Sequence, residues 1–304
     1  MSLQVAILSD IHGNMDALSA VLDELEQQEI RKIIVTGDST GPTMQNHVFK
    51  ALLEKKALLI RGNGEQRIVR KNRAQIPEPQ WNQIPYTGNR WAYNDLEPSI
   101  KNFLEFLPDQ RVVEYEGTIP IRVVHGSPRD TNNTHGILPE QTSTDSQKIL
   151  KVHRTISIEA AVQGLNESVL VCGHTHRPWV HRIEDKLVVN PGSVGNPCNG
   201  DPRAEYAVFT WSKDQWSVEH KAVSYDLESV FNRFHGCGVL ETVGAFARST
   251  LLCRMTGIDV TMEFLTYVRD LQSENSLSYD QAYSAAFTSF DWKKYEKQHP
   301  VLIS

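Results

Sequence analysis

The chain has 304 residues, of which 40% are hydrophobic and 22% charged, with a formal net charge of −6. This composition is typical of a globular protein with one large domain, or a core with an extension, and it lacks the basic surplus of a nucleic-acid-binding protein. We expect neither a membrane span nor a signal peptide, because the apolar run at residues 3–8 is short and Asp10 ends it. Four scattered cysteines without a CxxC pair indicate reduced thiols and hence a cytoplasmic protein.

The amino-terminal part of the chain alternates between apolar runs and amphipathic segments. The runs at 4–8, 32–36 and 57–60 predict strands, and the segments at 16–29 and 45–56 predict helices. A β-α-β-α-β order favours parallel strands joined by right-handed crossovers. The carboxyl ends of these strands should then share one edge of a sheet, where ligands bind in open α/β sheets.

Residues 65–110 are rich in proline and are predicted to form irregular loops with one or two helices, the last near 95–106. Their aromatic residues could face a substrate, but we expect them to pack on the core. The chain then becomes β-rich. Strands are expected at 111–115, 119–124, 169–172, 179–183, 187–189, 206–211 and 216–223, with a short helix at 156–164.

After Tyr225 the pattern changes to helical spacing of apolar residues. Helices are predicted near 239–254, 261–273 and 279–289. The sequence therefore predicts two parts, a main α/β domain at 1–224 and a helical carboxy-terminal extension at 225–304.

Residue types that bind metal ions follow five of the predicted strands. On an extended backbone, residues two apart point the same way, so Asp10 and His12 could reach one point, as could His174 and His176. Nitrogen and oxygen ligands without thiolate suit manganese, iron, zinc or nickel, and we take manganese as the first choice. The predicted ligands are Asp10, His12, Asp38, Asn63, His125, His174 and His176.

The motifs Asp10-x-His12, Gly37-Asp38, Gly62-Asn63, His125 and Gly173-His174-x-His176 resemble, in the same order, those of the calcineurin-like metallophosphoesterase superfamily. The later stretch from Asn190 to Gly195 is similar to the small branch of YfcE-like phosphodiesterases. The resemblance covers roughly residues 3–224. It implies a four-layer α/β/β/α sandwich and a centre of two divalent metal ions. It also implies one metal on Asp10, His12, Asp38 and His176, and the other on Asp38, Asn63, His125 and His174, with Asp38 bridging.

Two divalent ions about 3.5–4 Å apart can clamp a phosphoryl group and activate a water between them. The resemblance therefore implies an enzyme that hydrolyses phosphate esters, with phosphodiesters favoured, by attack of a metal-bound hydroxide. Asp38 and Asn63 would be the catalytic residues. Hydrolysis of dinucleoside polyphosphates such as diadenosine tetraphosphate is one alternative, and a catalytically silent binding scaffold of the same fold is another. A nuclease has little support, because no basic groove is visible.

One position departs from the family pattern. Many members have a histidine after Gly-Asn that is thought to assist the leaving group, whereas Gly64 stands here. Candidate substrate-binding residues are Asn14, which could also cap the following helix, Arg129 and His135. The expected partner is a small phosphorylated or nucleotide substrate, with no membrane and no nucleic acid, and an oligomer is left open.

Overall fold

The computed structural model describes residues 3–130, 134–139 and 154–298, and two five-stranded sheets form its centre. One sheet has the order β12-β11-β1-β2-β3, in which β1 runs parallel to β2 and antiparallel to β11, and β2 runs parallel to β3. These strands span Leu3–Leu8 (β1), Lys32–Val35 (β2), Leu58–Leu59 (β3), Ala204–Ser212 (β11) and Gln215–Val223 (β12). The predicted parallel β-α-β-α-β unit is confirmed.

The second sheet has the order β4-β5-β8-β10-β9. Its strands are Gln110–Val113 (β4), Ile121–Val124 (β5), Val169–Val171 (β8), Pro178–Ile183 (β9) and Lys186–Pro191 (β10). A separate parallel pair joins β6 (His135–Ile137) to β7 (Arg154–Ile156).

Alternation along the strands divides the core into layers. Val5 and Ile7 of β1 pack with Val123 and Val171 of the second sheet, so the two sheets face each other. The neighbouring Leu8 instead packs on the first helix. Because successive side chains of a strand point to opposite faces, each sheet buries both faces. The result is the predicted four-layer α/β/β/α sandwich.

The helices of the sandwich correct one prediction, because residues 65–110 are mostly helical. The prolines that indicated loops stand instead at helix starts, as Pro79 and Pro98 do, where a missing backbone N–H costs nothing. Trp81 is buried and Trp91 is partly buried, as expected of packing residues. The helices are Met15–Gln27 (α1), Gln45–Glu54 (α2), Asn63–Asn72 (α3), Glu78–Trp81 (α4), a 3₁₀ turn at Ile84–Tyr86, Thr87–Asp95 (α5), Pro98–Phe106 (α6) and Ile158–Val162 (α7).

The carboxy-terminal part is helical from Leu227, directly after the sheet ends at Val223. Its own aromatic core surrounds Phe264, whose ring stacks on Trp292 with centroids 5.2 Å apart. Within the described residues, no helix is long and apolar enough to cross a membrane. The helices are Leu227–Gly236 (α8), Val239–Val243 (α9), Ala245–Thr256 (α10), Val260–Asn275 (α11), Tyr279–Ser289 (α12) and Lys293–Glu296 (α13).

Candidate metal centre

The loops after β1, β2, β3, β5 and β8 meet at one edge of the two sheets. Backbone hydrogen bonds join them: the amide of Asp10 donates to the carbonyl of Gly37 at 3.1 Å, and that of Gly173 donates to the carbonyl of His125 at 2.7 Å. The predicted ligands of both sheets therefore surround one space.

Two overlapping groups of side chains could each hold a metal ion. Asp10, His12 and His176 form one group, and Asp10, Asp38 and His125 form the other, with the potential ligand atoms of each group within 4.8 Å of one another. Asp10 Oδ1 lies 3.3 Å from His176 Nε2, and Asp38 Oδ2 lies 3.6 Å from His125 Nε2 and 3.9 Å from His12 Nε2. Asp10 thus belongs to both groups, and Asp38 also faces imidazoles of both. It therefore stays a prediction that Asp38, rather than Asp10, bridges the two metal ions.

Asn63 and His174 complete the predicted set on the side of His125. Asn63 Oδ1 lies 3.2 Å from His125 Nε2, and the rings of His125 and His174 meet edge to face with centroids 5.2 Å apart. The His174 amide donates to Asp10 Oδ2 at 2.9 Å. All seven residues therefore lie around the same space.

Backbone carbonyls orient two of the imidazoles. His125 Nδ1 donates to the carbonyl of Thr36 at 2.9 Å, and His176 Nδ1 donates to that of Asn196 at 2.7 Å. A hydrogen bond of this kind fixes the tautomer and leaves Nε2 as the nitrogen that can bind a metal. Both Nε2 atoms point toward the carboxylates.

Burial and neighbouring charges shift the pKa values of His12, His176 and Asp10. Burial lowers the pKa of His12 to about 3, with the neighbouring His176 adding to the shift, so this imidazole is neutral at pH 7. Burial also opposes protonation of His176, but the Asp10 carboxylate outweighs it and raises the pKa of His176 to about 9. Burial would raise the pKa of Asp10, yet the surrounding imidazoles, His176 first, hold it well below its usual range. Asp10 is therefore a carboxylate at neutral pH.

The surroundings of Asp10 Oδ1 indicate that the cluster binds a metal ion. Asp10 is fully buried, and its Oδ2 accepts hydrogen bonds from Ser9 Oγ and the His174 amide, whereas its Oδ1 faces imidazole nitrogens, with His176 Nε2 at 3.3 Å. Burial of a carboxylate oxygen costs free energy unless positive charge lies beside it. A divalent cation on Oδ1 and the adjacent Nε2 atoms would offset that cost, and this nitrogen and oxygen donor set suits such an ion. The residues present therefore fit the predicted metal ions.

Backbone strain is concentrated in the same residues. Asp10, His12, Asp38, His174 and His176 have φ values of 51°, 49°, 52°, 69° and 56°. Each left-handed residue other than glycine costs about 1–2 kcal/mol, and such strain persists where the surroundings enforce it, commonly at functional sites. An extended backbone was expected for the Asp-x-His and His-x-His pairs. That assumption is wrong, because tight left-handed turns bring these side chains together.

A glutamate that the sequence analysis did not single out supports this edge. The Glu65 carboxylate accepts hydrogen bonds from the amides of Asp38 at 2.9 Å, Thr40 at 2.7 Å and Gly62 at 2.7 Å. Glu65 is the third residue of α3 after the Gly62 cap, which is the position of the glutamate in a capping box. That spacing was the available signal for Glu65.

A side chain at position 64 would require the Thr40 side chain to move. The Gly64 amide donates to Asp38 Oδ1 at 2.8 Å. A Cβ at this position would lie 2.5 Å from Thr40 Oγ1 and 3.3 Å from Asp38 Oδ1. The glycine thus lets the backbone approach Asp38 and orient its carboxylate.

The three predicted substrate-binding residues have protein partners. Asn14 caps α1, where its Oδ1 accepts from the Ala17 amide at 3.2 Å while its Nδ2 donates to the Gly195 carbonyl at 3.1 Å. Arg129 is exposed and donates to the Gln163 carbonyl at 2.7 Å. His135 Nδ1 lies 2.7 Å from a carboxylate oxygen of Asp130. Their contacts with substrate stay predictions, and the helix cap at Asn14 is observed.

Known proteins share this architecture. The family model described as calcineurin-like phosphoesterase superfamily domain matches residues 3–214. An uncharacterized protein from Methanocaldococcus jannaschii is 23% identical over 247 residues, which is 75% of this chain and 90% of that protein. A hypothetical protein from Pyrococcus horikoshii has a similar structure, with a TM-score of 0.64, 21% identity, and coverage of 84% of this chain and 98% of that one.

A metallophosphoesterase from Sphaerobacter thermophilus is also similar in structure, with a TM-score of 0.59, 21% identity, and coverage of 81% of this chain and 99% of that one. The family match spans most of this chain, and the ordered strand-end ligands lie within it. The chain therefore belongs to the calcineurin-like phosphoesterase superfamily and is a metal-dependent phosphoesterase.

Proposed function

We propose that this chain hydrolyses phosphodiesters with two divalent metal ions, manganese as the first choice. The observation that carries the proposal is the buried Oδ1 of Asp10, which lies 3.7, 4.0 and 3.3 Å from the Nε2 atoms of His12, His125 and His176. Ions bound at such a site turn a water into a nucleophile and stabilise charge on phosphoryl oxygens. Free thiols at all four cysteines support a cytoplasmic location.

In this proposal the protein itself holds and orients the reacting groups. Asp10 and Asp38 supply the negative charge that retains the ions, and the carbonyls of Thr36 and Asn196 keep His125 and His176 in the metal-binding tautomer. The buried surroundings strengthen each of these electrostatic interactions because few waters screen them. Asn63 adds a neutral oxygen beside His125.

A cavity lies next to one of the predicted ligands, His176. It has a volume of about 560 Å³ and lies between helix α11 and two separate loops, one with Arg177 before β9 and one with Cys198 after β10. Cys198 Sγ is 3.8 Å from His176 Nδ1, the ring nitrogen that bonds the Asn196 carbonyl, so the cavity lies behind the His176 ring. Three carboxylates and one arginine are among its lining groups, together with apolar and aromatic side chains. None of the predicted ligands lines this cavity, so the preference for diesters follows from the sequence resemblance to the YfcE-like phosphodiesterases.

The proposal is tested with metal-stripped protein to which Mn²⁺, Ni²⁺, Zn²⁺ or Mg²⁺ is returned. Hydrolysis of bis(4-nitrophenyl) phosphate is compared with that of 4-nitrophenyl phosphate, in the wild type and in Asp38→Asn. Exposed Asp185 provides the matched control Asp185→Asn. We expect metal-dependent diester cleavage that exceeds monoester cleavage, is lost in Asp38→Asn and is retained in Asp185→Asn.

Two other outcomes would contradict the proposal. Preferential cleavage of diadenosine tetraphosphate over simple diesters would instead establish a dinucleoside polyphosphate hydrolase. Bound metal without turnover of any phosphate ester would establish a silent scaffold.

A further inference from the structure

The helical extension places a buried cation directly behind one metal-binding loop. Arg254 of α10 is fully buried, and although burial lowers its pKa to about 10, it stays charged at neutral pH. No carboxylate forms an ion pair with Arg254 in the described part of the chain. A buried charge without a direct ion pair is costly unless hydrogen bonds and other contacts stabilise it.

Those contacts reach the loop that carries His12. Arg254 Nη2 donates to the His12 carbonyl, and Nη1 donates to Thr43 Oγ1 at 3.5 Å. Thr43 Oγ1 in turn donates to the carbonyl of Gly13 at 3.0 Å. The guanidinium also lies over the Phe234 ring, 5.0 Å from its centroid. One arginine therefore links the extension to two successive carbonyls of the Asp10–Asn14 turn.

His12 is a residue whose backbone needs such support. Its φ of 49° is left-handed, although it is not a glycine. On the opposite side, its amide donates to the Asp38 carbonyl at 2.9 Å. Gly41 packs against the His12 carbonyl so closely that a Cβ there would lie 1.9 Å from the oxygen. The carbonyl thus has one orientation, in which it meets the guanidinium.

We propose that Arg254 is a positioning residue, through which the carboxy-terminal extension holds His12 in the geometry that binds metal. This proposal rests on the metal dependence of the family and on no particular substrate. It makes the extension part of the metal centre, although none of its side chains is among the predicted ligands.

The test measures Mn²⁺ binding to metal-stripped protein by isothermal titration calorimetry. Arg254→Gln should raise the Kd of Mn²⁺ about 10- to 100-fold, the effect typical of residues that orient a ligand. Arg254→Lys keeps the charge but cannot bridge His12 and Thr43 together, so a smaller rise is expected. Arg248→Gln is the matched control, because Arg248 lies on the same helix and bonds Glu296 within the extension. It should bind Mn²⁺ as the wild type does.

Circular dichroism and the thermal midpoint in EDTA show whether each variant is folded. Folded Arg254 variants that bind Mn²⁺ with the wild-type Kd would overturn the proposal, as would an equal loss in Arg248→Gln. If Arg254→Gln does not fold, Arg254→Lys decides: a raised Kd supports the proposal and an unchanged one overturns it. Wild-type protein that binds Mn²⁺ but cleaves no diester would contradict the proposed function and leave this comparison intact.

Discussion

The substitution Glu65→Gln tests how the edge of the first sheet is held. The carboxylate of Glu65 accepts three backbone N–H groups, two on Oε2 from Asp38 and Gly62 and one on Oε1 from Thr40. Glutamine has the same shape but only one acceptor oxygen. Its carbonyl should take the position with two donors, which leaves its amide facing the buried Thr40 N–H.

The expected change in the free energy of unfolding follows from these three hydrogen bonds. Two of them change from charge-assisted to neutral, at about 1 kcal/mol each, and the Thr40 amide loses its acceptor, at about 1–3 kcal/mol. Burial disfavours the carboxylate and raises the pKa of Glu65, so removal of the charge offsets part of this cost. We expect a net loss of about 2–3 kcal/mol in the free energy of unfolding.

Urea unfolding of metal-stripped protein at pH 7 measures this loss, and calorimetry with Mn²⁺ measures its effect on the site. Because Glu65 holds the Asp38 amide, weaker Mn²⁺ binding should accompany the lower stability. Exposed Glu26, which pairs with Lys55, provides the control Glu26→Gln, for which no change is expected. A Glu65→Gln variant with the stability and Mn²⁺ affinity of the wild type would refute this reasoning.

Three further predictions concern single positions. Burial raises the pKa of Glu205 from 4.5 to about 7, so the free energy of unfolding should fall by about 3 kcal/mol as the pH rises from 4.5 to above 7. Urea unfolding at several pH values should show this fall in the wild type and not in Glu205→Gln. The same pH dependence in both proteins would contradict the prediction. Gly41→Ala should weaken Mn²⁺ binding because the added Cβ would displace the His12 carbonyl. The control Gly236→Ala should bind Mn²⁺ as the wild type does, because the space around its Cβ is open. Equal Mn²⁺ affinities of the two variants would contradict this prediction. Because Gly64 replaces the histidine of the family pattern and has no side chain to donate a proton, rates for aryl phosphodiesters should depend steeply on leaving-group pKa. A flat dependence would contradict this expectation.

Much of the fold could be predicted because its signals are local. The β-α-β-α-β unit follows from apolar runs that alternate with helical spacing, and the ligands stand where those runs end. The convergence of Asp10 with His125 then follows from the facing sheets. Prolines misled the prediction for 65–110, because Pro98 marks a helix start as readily as a loop.

The support of the centre depends on contacts between distant residues. Nothing near His12 in the sequence indicates that Arg254, 242 positions later, bonds its carbonyl. The left-handed backbone of His12 is likewise imposed by its neighbours rather than by its own preference. The role of Glu65 could have been predicted from the sequence, since its spacing from Gly62 is that of a capping box.

The central claim is that seven side chains from two sheets form one centre for two divalent ions. Anomalous diffraction from crystals of the full chain with Mn²⁺ tests it most directly. The account predicts two manganese peaks, one beside Asp10, His12 and His176 and the other beside Asp38 and His125. Manganese bound elsewhere, with no peak among these side chains, would contradict it.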